Sequence, residues 1–345
     1  IFKILIIIIN LVLQMYCFLM YFCCMIIVTG SAGFIGSCLV NELNYLGYYN
    51  LILVDDFSNQ KKNKNLKNTK FHKKIDRNYF IDWLKNNYKD ISFLFHLGAR
   101  TDTSELDIEI FKYLNLNYSK SLYKICVKHN IPFVYASSAA TYGMGEFGFD
   151  DNHENISSLS PLNPYAIYKN KFDKWILSNI NKPPTCVGLK FFNVYGPNEY
   201  HKSRMASVIF HAYNQIMKSG QMKLFKSHTK NYSDGEQSRD FIYVKDVVKT
   251  LIFFYKNQNN IGIYNLGTGQ ARSFNDLISI TFKAMKKECS ISYIDIPIDI
   301  RDTYQYYTRA KISKLRNVGC REKFYSLEDG VKEYIQEYLL EKKYY

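Results

Sequence analysis

Short apolar runs alternate with amphipathic segments along most of the chain from Met25 onward. Helical periodicity predicts helices at about 106–129 and 163–180. The runs that predict buried strands are MIIVT (25–29), LILVDD (51–56), SFLFHLGA (92–99), IPFVYASSAA (131–140) and TCVGLKFFNVYG (185–196). Strands that alternate with helices form parallel sheets covered on both faces. The pattern therefore predicts an α/β fold built on a doubly wound parallel sheet.

A glycine-rich turn, GSAGFIG, joins the first predicted strand to a helix. Gly30 allows the sharp turn, Gly33 a close approach of the backbone to a pyrophosphate, and Gly36 close packing of helix and strand. The helix N-terminus would then face the phosphates. Asp55 ends the second strand, 25 residues after Gly30, where a carboxylate can bind an adenosine ribose. A Rossmann-type site for a nicotinamide dinucleotide is predicted.

The acidic and basic residues after the second strand leave NAD and NADP balanced. Asp55 and Asp56 would repel a 2′-phosphate and favour NAD, whereas Lys61, Lys62 and Lys64 in the following loop offer counter-charges. This lysine-rich stretch, 61–74, is predicted to be a loop.

The strand–helix alternation breaks down after Tyr195, where residues 200–240 are polar and irregular in pattern. The segments DFIYVKDVV and IYNLGTG then return to the earlier style. We therefore predict a dinucleotide-binding domain over 25–195, to which 240–268 returns. A smaller, interleaved C-terminal substrate-binding lobe is predicted over 196–239 and 269–345.

Residues 1–24 are almost entirely apolar and long enough to span a bilayer. Lys3 is the one basic residue, and a small-residue cleavage site is missing before Met25, which disfavours a signal peptide. Two interpretations of residues 1–24 remain, a membrane anchor or sequence that does not belong to the fold. Because Met25 opens a complete first strand, we expect 1–24 to lie outside the fold.

The net charge of +14 is carried mainly by lysines spread along the chain, which suits a solvated surface and an anionic small molecule. The sequence shows no nucleic-acid-binding motif, so nucleic acid is not an expected partner. The eight cysteines include no C-x-x-C pair, and no histidine cluster accompanies them, so neither a disulfide framework nor a metal site is expected. Reduced thiols fit a cytoplasmic protein.

The stretch NPYAIYK contains two tyrosines beside Lys169. Tyr165 lies one helical turn before Lys169 and shares its face, whereas Tyr168 points about 100° away. Ser138, 27 residues before Tyr165, ends a predicted strand and could orient a substrate alcohol. Tyr165 is thus the candidate general base, and we expect the Lys169 ammonium and a bound nicotinamide cation to lower its pKa.

The glycine turn, YASSAATYG and YAIYK together resemble the extended short-chain dehydrogenase/reductase superfamily, from Met25 to about Tyr338. Three further stretches closely resemble its ADP-glyceromanno-heptose 6-epimerase family. They are FHLGARTDTSE, SRDFIYV and FFNVYGPNEYHKSRMASVIFHA (191–212). That resemblance implies an isomerase of lipopolysaccharide core synthesis that inverts carbon 6 of an ADP-heptose. It also implies bound NADP and a ring-like homo-oligomer, a pentamer, without a membrane partner.

The resemblance also assigns site residues. Tyr165 and Lys202 would transfer protons, with Ser138 and Lys169 beside them. The cofactor would be lined by Gly30, Gly33, Phe34, Ile35, Gly36, Asp55, Asp56, Lys62, Arg77, Leu97, Gly98, Ala99, Arg100, Thr101, Asn115, Lys169, Val194 and Lys202. The ADP-sugar would be lined by Asn193, Arg204, His211, Phe225, Arg239 and Tyr304.

Other reactions on the same scaffold are the main alternatives. A dehydratase needs an acid and a base beside the serine strand, where this chain has Ala139 and Ala140. A UDP-hexose 4-epimerase would not need Lys202. A non-catalytic nucleotide sensor is expected to lack Tyr165 or Lys169, and both are present.

Overall fold

The structure is a computed structural model that describes residues 24–102, 105, 107–301 and 304–345. Most of the apolar extension, 1–23, and Leu106 at the start of the predicted helix lie outside the described residues. Among the described residues, no helix is both long and apolar enough to cross a membrane.

Seven parallel strands form the main sheet. They are β1 (Met25–Thr29), β2 (Leu51–Asp55), β3 (Lys73–Asp76), β4 (Ile91–His96), β5 (Phe133–Ser138), β6 (Cys186–Phe191) and β10 (Ile261–Leu266). Their order across the sheet is β10-β6-β5-β4-β1-β2-β3. The order reverses between β1 and β4, and open α/β sheets bind ligands at such a reversal, outside the carboxyl ends of the strands.

Two smaller sheets lie beside the main one. A three-stranded sheet contains β7 (Asn193–Tyr195), β9 (Ser238–Tyr243) and β11 (Ala271–Ser273), and a two-stranded sheet contains β8 (Met222–Phe225) and β12 (Ile291–Ile294). The α-helices are α1 (Phe34–Tyr45), α2 (Gln60–Asn63), α3 (Arg77–Asn87), α4 (Ile108–Phe111), α5 (Tyr118–His129), α6 (Pro164–Ser178), α7 (Val208–Ser219), α8 (Val244–Lys256), α9 (Phe274–Ala284), α10 (Ile298–Arg301), α11 (Ser313–Asn317) and α12 (Leu327–Glu333).

Both faces of the main sheet are buried. In β1, Ile26 and Val28 pack into a core shared with α1 and α8, whereas Ile27 packs into a second core with α3, α5 and α6. Successive side chains of a strand point to opposite faces, so a strand covered on both sides is apolar throughout. This explains the continuous apolar runs and confirms the predicted fold class.

Three local predictions are wrong. The run 185–196 is two strands, because the chain leaves the main sheet after β6 and β7 pairs with β9 instead. The lysine-rich stretch 61–74 includes α2, whose first N–H groups are capped by Asn59, and the start of β3. Within the irregular stretch 200–240, Ser207 caps the twelve-residue helix α7. Side-chain caps and sheet partners are weak signals in a hydrophobicity pattern.

The returning segment predicted at 240–268 includes α8, which packs on α1, and β10, which forms an edge of the main sheet. The division into a cofactor domain and a substrate lobe stays a prediction.

Candidate active site

The glycine turn lies at the carboxyl end of β1 and opens α1. Gly30 has φ +69°, and a Cβ there would lie 2.7 Å from the Gly98 Cα, so the turn and the loop after β4 are in close contact. A Cβ at Gly36 would lie 2.1 Å from the Gly30 carbonyl oxygen. Both positions therefore require glycine, the first for its conformation as well as for space.

The carboxylates of Asp55 and Asp56 are both engaged at the end of β2. Asp55 accepts a hydrogen bond from the Ala32 backbone N–H at 2.8 Å and forms an ion pair with Lys62. Asp56 pairs with Arg77 at 3.1 Å, and its hydrogen bonds from Ser58, more than that charge, lower its pKa. Asp55 thus supports the glycine turn directly, and each carboxylate has a cationic partner.

The loop after β4 contains Leu97, Gly98, Ala99, Arg100 and Thr101. Gly98 donates its N–H to the Thr29 hydroxyl at 3.1 Å. Asn115, which is buried, accepts from the Arg100 N–H at 2.8 Å and donates to the Arg100 carbonyl at 2.9 Å. The Asn115 side chain therefore holds this loop in place, and its cofactor contact stays a prediction.

Ser138, Tyr165 and Lys169 come together where α6 crosses the end of β5. The Ser138 hydroxyl lies close enough to Tyr165 to lower its pKa, and the Lys169 ammonium donates to the Ala136 carbonyl at 2.7 Å. Tyr165 is partly buried, whereas Tyr168 is 7% exposed and lies under the Lys171 ammonium at 4.6 Å. The two neighbouring tyrosines therefore have different surroundings, as their helical spacing predicts.

The charge states of this group follow mainly from burial. Burial raises the pKa of Tyr165, the hydrogen bond with Ser138 lowers it, and the Asp173 carboxylate raises it further. The protein's own groups thus act in the direction opposite to the lowering that we expected. Burial also lowers the pKa of Lys169 to about 8, against an opposing effect of Asp173. Burial removes the water shell of the Lys169 ammonium, and this disfavours its charged form.

Lys202 lies on a short 3-10 segment, Tyr200–Met205, and its ammonium is 5.0 Å from the centre of the Phe34 ring. Phe34 is the first residue of α1, so Lys202 lies beside the glycine turn. Burial lowers the pKa of Lys202, and the nearby Glu199 acts in the opposite direction. Glu199 is itself buried and accepts two hydrogen bonds from Ser207, each 2.6 Å long.

Asn193 and Val194 lie in β7, with Asn193 exposed at the edge of the site. His211, on α7, hydrogen-bonds through Nε2 to the Arg204 carbonyl at 3.2 Å. The Arg204 guanidinium is exposed and pairs with Asp102 at 3.3 Å, and the Arg100 guanidinium lies 3.8 Å from the same carboxylate. These contacts connect the segment of Lys202 to the loop after β4.

A third group contains Phe225, Arg239 and Tyr304. The Phe225 and Tyr304 rings meet edge to face with centroids 6.0 Å apart, and the Arg239 guanidinium lies 5.5 Å from the Tyr304 ring. Burial lowers the pKa of Arg239. Gln305 links this group to the segment after β5, because its carbonyl accepts from Arg239 and its side chain donates to the Gly143 carbonyl.

The sequence patterns missed several residues that hold the site together. Asn65 is buried and donates to the Ala32 and Asn198 carbonyls, each at 3.0 Å, and so joins the glycine turn to the chain before Lys202. Asp173 lies one helical turn after Lys169 and is also buried. Tyr165, Lys169 and Asp173 follow one another at four-residue intervals, and this spacing is the one sequence signal that could have revealed Asp173.

The residues around the glycine turn fit a dinucleotide. Gly33 occupies the N-cap position of α1 and provides no side-chain cap, so the first N–H groups of a twelve-residue helix are left for another acceptor. The first turn of α1 carries no acidic side chain. A Cβ at Gly33 would meet the Gly30 carbonyl at 3.1 Å. This cradle suits a pyrophosphate.

Comparison with known proteins gives the family. The sequence profile of the NAD dependent epimerase/dehydratase family matches residues 26–267. The chain belongs to this family. Its members are enzymes, and its name specifies a nicotinamide dinucleotide. The predicted enzyme class and cofactor class are therefore confirmed.

Individual relatives resemble the chain over nearly its whole length. ADP-L-glycero-D-manno-heptose-6-epimerase of Fusobacterium nucleatum is 45% identical, and the match covers 93% of this chain and 100% of the relative. The crystal structure of the Helicobacter pylori enzyme of the same name has a TM-score of 0.78 at 30% identity, covering 91% of this chain and 95% of the other. UDP-N-acetylglucosamine 4-epimerase from Methanobrevibacter ruminantium, in complex with UDP-N-acetylmuramic acid, has a TM-score of 0.77 at 25% identity, with 93% and 99% covered. The predicted family resemblance is confirmed.

Proposed function

We propose that the protein converts ADP-D-glycero-D-manno-heptose to ADP-L-glycero-D-manno-heptose by inverting carbon 6, with bound NADP. The observation that carries this proposal is the full-length match to a heptose epimerase at 45% identity. A UDP-hexose 4-epimerase is the less favoured function, because the UDP-sugar epimerase described above is only 25% identical.

Inversion of a carbinol carbon by direct deprotonation is difficult because nothing stabilises the carbanion. A bound nicotinamide supplies reversible oxidation of the carbinol to a ketone. The protein's part is to move a proton at the substrate oxygen in two substrate poses, one for each face of the carbon. Tyr165 and Lys202 lie on different segments and are our candidates for the two proton-transfer groups.

Each candidate has support from its surroundings. Tyr165 lies beside Ser138, which lowers its pKa and can orient the same substrate hydroxyl. Burial lowers the pKa of Lys202, which brings its ammonium closer to a working acid–base group at neutral pH. The group that takes the proton in one pose ends protonated, and the group that returns a proton in the other pose ends deprotonated, so a proton must pass between them, directly or through water, before the next turnover.

The remaining candidate residues would bind the cofactor or the sugar nucleotide. Gly30, Gly33, Phe34, Ile35, Gly36 and Val194 would surround the dinucleotide, and Lys169 would hold its nicotinamide ribose. Arg239 would bind the diphosphate of the ADP-sugar, since a guanidinium can bond two oxygens at once. Asn193, Arg204, His211, Phe225 and Tyr304 would line the sugar nucleotide.

NADP is our proposal over NAD because both carboxylates after β2 are matched by cations. Lys62 pairs with Asp55 and Arg77 with Asp56, so neither carboxylate would meet a 2′-phosphate unopposed. Nucleotide released from denatured protein should be NADP by mass spectrometry. Lys62→Met should weaken NADP more than NAD, whereas Lys61→Met, an exposed control, should not. Release of NAD alone would contradict the assignment.

The heptose reaction is tested by incubating purified protein with ADP-D-glycero-D-manno-heptose and separating the two epimers. The ADP-heptose should be interconverted and UDP-galactose left unchanged. Lys202→Met should lose activity by about 10²–10⁴-fold, because one pose lacks its proton partner. Epimerisation of UDP-galactose without the ADP-heptose would favour the alternative function.

The resemblance also leads us to propose a cytoplasmic homo-oligomer, a pentamer. Sedimentation velocity of the purified protein measures the assembly, and a monomer at micromolar concentration would contradict it. Cell fractionation measures the location, and recovery of the enzyme outside the cytoplasm would contradict that part.

A further inference from the structure

Three residues on one face of α6, Tyr165, Lys169 and Asp173, lie against β5. The residues on this face are spaced by four, which places them one helical turn apart. Tyr165 lies beside Ser138, which lowers its pKa, and the Lys169 ammonium donates to the Ala136 carbonyl at 2.7 Å. Asp173 accepts from two residues of the same strand, the Ser137 hydroxyl at 2.6 Å and the Tyr135 hydroxyl at 2.9 Å.

Lys190, on the neighbouring strand β6, completes this arrangement. Its ammonium donates to Asp173 at 2.8 Å and to the Thr141 hydroxyl at 2.6 Å. Thr141 donates in turn to the Ser138 carbonyl at 2.7 Å. The side chains of Lys190 and Asp173 are both 0% exposed. A continuous chain of hydrogen bonds therefore runs from this ion pair to Ser138.

A buried ion pair is costly, because desolvation of the two charges can exceed their attraction. An apolar pair of similar size would often be at least as stable, so stability alone is a weak reason for this one. The Asp173–Lys190 pair is joined to Ser138 through Thr141, and its Asp173 lies one helical turn after Lys169. Networks of this kind rigidify a site when every member is satisfied.

We propose that the buried Asp173–Lys190 ion pair is a positioning device for the active site, which fixes Tyr165 and Lys169 against Ser138 and sets the charge balance beside Lys169. Neither residue touches substrate in this proposal, and both act through their neighbours. The inference rests on the proposed roles of Tyr165 and Lys169.

The charged groups around Lys169 influence its pKa, so a change in their balance can be measured as a change in the titration of Lys169. Asp173, one turn away, opposes the burial that lowers the pKa of Lys169 to about 8. His96, on β4, is neutral because burial lowers its pKa to about 3. Tyr135, on β5, donates its proton to Asp173, and Lys190 faces the same carboxylate from β6. On the outer segments packed against α6, Glu109 and Lys112 pair with each other at 3.1 Å.

Two single variants should therefore shift the titration of Lys169 in opposite directions. Asp173→Asn removes a negative charge, so the Lys169 ammonium loses its proton at lower pH. Lys190→Met leaves Asp173 unopposed, so the ammonium persists to higher pH. Each displacement should be about one pH unit, since a charge at ~4–6 Å shifts a pKa by one to three units. Lys190→Arg should stay near the wild type.

Two measurements on the holoenzyme follow this titration. One is the pH profile of kcat/KM with the ADP-heptose, and the other is the pH at which exchange of bound NADP for labelled NADP accelerates. Lys85→Met, which breaks the exposed Lys85–Asp82 pair, controls for loss of a lysine. The double variant Asp173→Asn/Lys190→Met should fall between the two singles.

Titration midpoints that move in opposite directions in the two single variants support the inference. Midpoints that coincide with the wild type while activity falls would leave the ion pair a purely structural role and overturn the inference. If Lys190→Met fails to fold, the nearly isosteric Asp173→Asn decides by itself, because an unshifted midpoint overturns the proposal. Exchange does not depend on the sugar. A shift in the pH of NADP exchange without heptose epimerisation would therefore contradict the proposed reaction but not the role of the ion pair.

Discussion

Tyr165 and Tyr168 lie three residues apart on α6, and their surroundings give them different roles. Tyr165 meets Ser138 and lies above Lys169, whereas Tyr168 is buried on another side under Lys171. Tyr165→Phe removes one hydroxyl, so packing should survive while activity falls by about 10²–10⁴-fold. Tyr168→Phe should keep its activity.

Steady-state epimerisation assays with matched circular dichroism spectra check this comparison, and the two variants should bind cofactor about equally. Tyr307→Phe and Tyr338→Phe serve as controls, because each also precedes a lysine by four residues. A folded Tyr168→Phe enzyme that is as inactive as Tyr165→Phe would refute the helical-face argument.

Lys169 should make the stability of the protein depend on alkaline pH. Its folded pKa is about 8, below the ordinary lysine value of 10.5, so the folded protein binds fewer protons than the unfolded chain between these values. Stability therefore rises with pH through this window, by an amount on the order of 3 kcal/mol from this residue. Relative to Lys169→Met, the wild type should gain stability from pH 8 to 10.5.

Urea unfolding at several pH values measures that difference. Lys85→Met, at an exposed lysine, should differ from the wild type by the same amount at every pH. A constant difference for Lys169→Met as well would show that burial does not perturb Lys169.

At the scale of the element, α6 begins with a capped first turn that places Tyr165. Asn163 accepts a hydrogen bond from the Ala166 N–H at 2.9 Å, and Pro164 occupies the first helical position. Asn163→Ala removes the cap and should lower the free energy of unfolding by ~1 kcal/mol. Asn163→Asp keeps an acceptor oxygen and should lose little.

Chemical denaturation of both variants provides the measurement. Because the cap supports the turn that carries Tyr165, the alanine variant should also lose some activity. Equal losses of stability in the alanine and aspartate variants would mean that the side-chain cap contributes nothing.

At the scale of the whole molecule, the main sheet begins at Met25. Within residues 24–345 as described, β1 lies between β2 and β4, and every strand of the main sheet lies at or after Met25. A protein that starts at Met25 should therefore be soluble and fully active in the epimerisation assay. Deletion through Thr29 is the matched control, because it removes a central strand and should abolish folding. Failure of the Met25 protein to fold would show that 1–24 contributes to the fold.

The sequence alone determined the features that depend on local periodicity. Apolar runs predicted strands buried on both faces, and the glycine spacing predicted the turn between β1 and α1 because no other residue fits at Gly30 or Gly36. Helical spacing separated Tyr165 from Tyr168. These properties involve neighbours within a few residues, whose relative positions follow from the geometry of the helix or strand.

Only the tertiary structure decided the features that depend on distant partners. Lys190 and Asp173 lie on different elements, and their ion pair exists because β6 and α6 both pack on β5. The run 185–196 divides into two strands because β7 pairs with β9, some 45 residues further along the chain. Burial raises the pKa of Tyr165 in the protein alone, and burial is set by everything packed around a group. Desolvation and pairing are sums over the folded surroundings, and a local sequence pattern does not contain them.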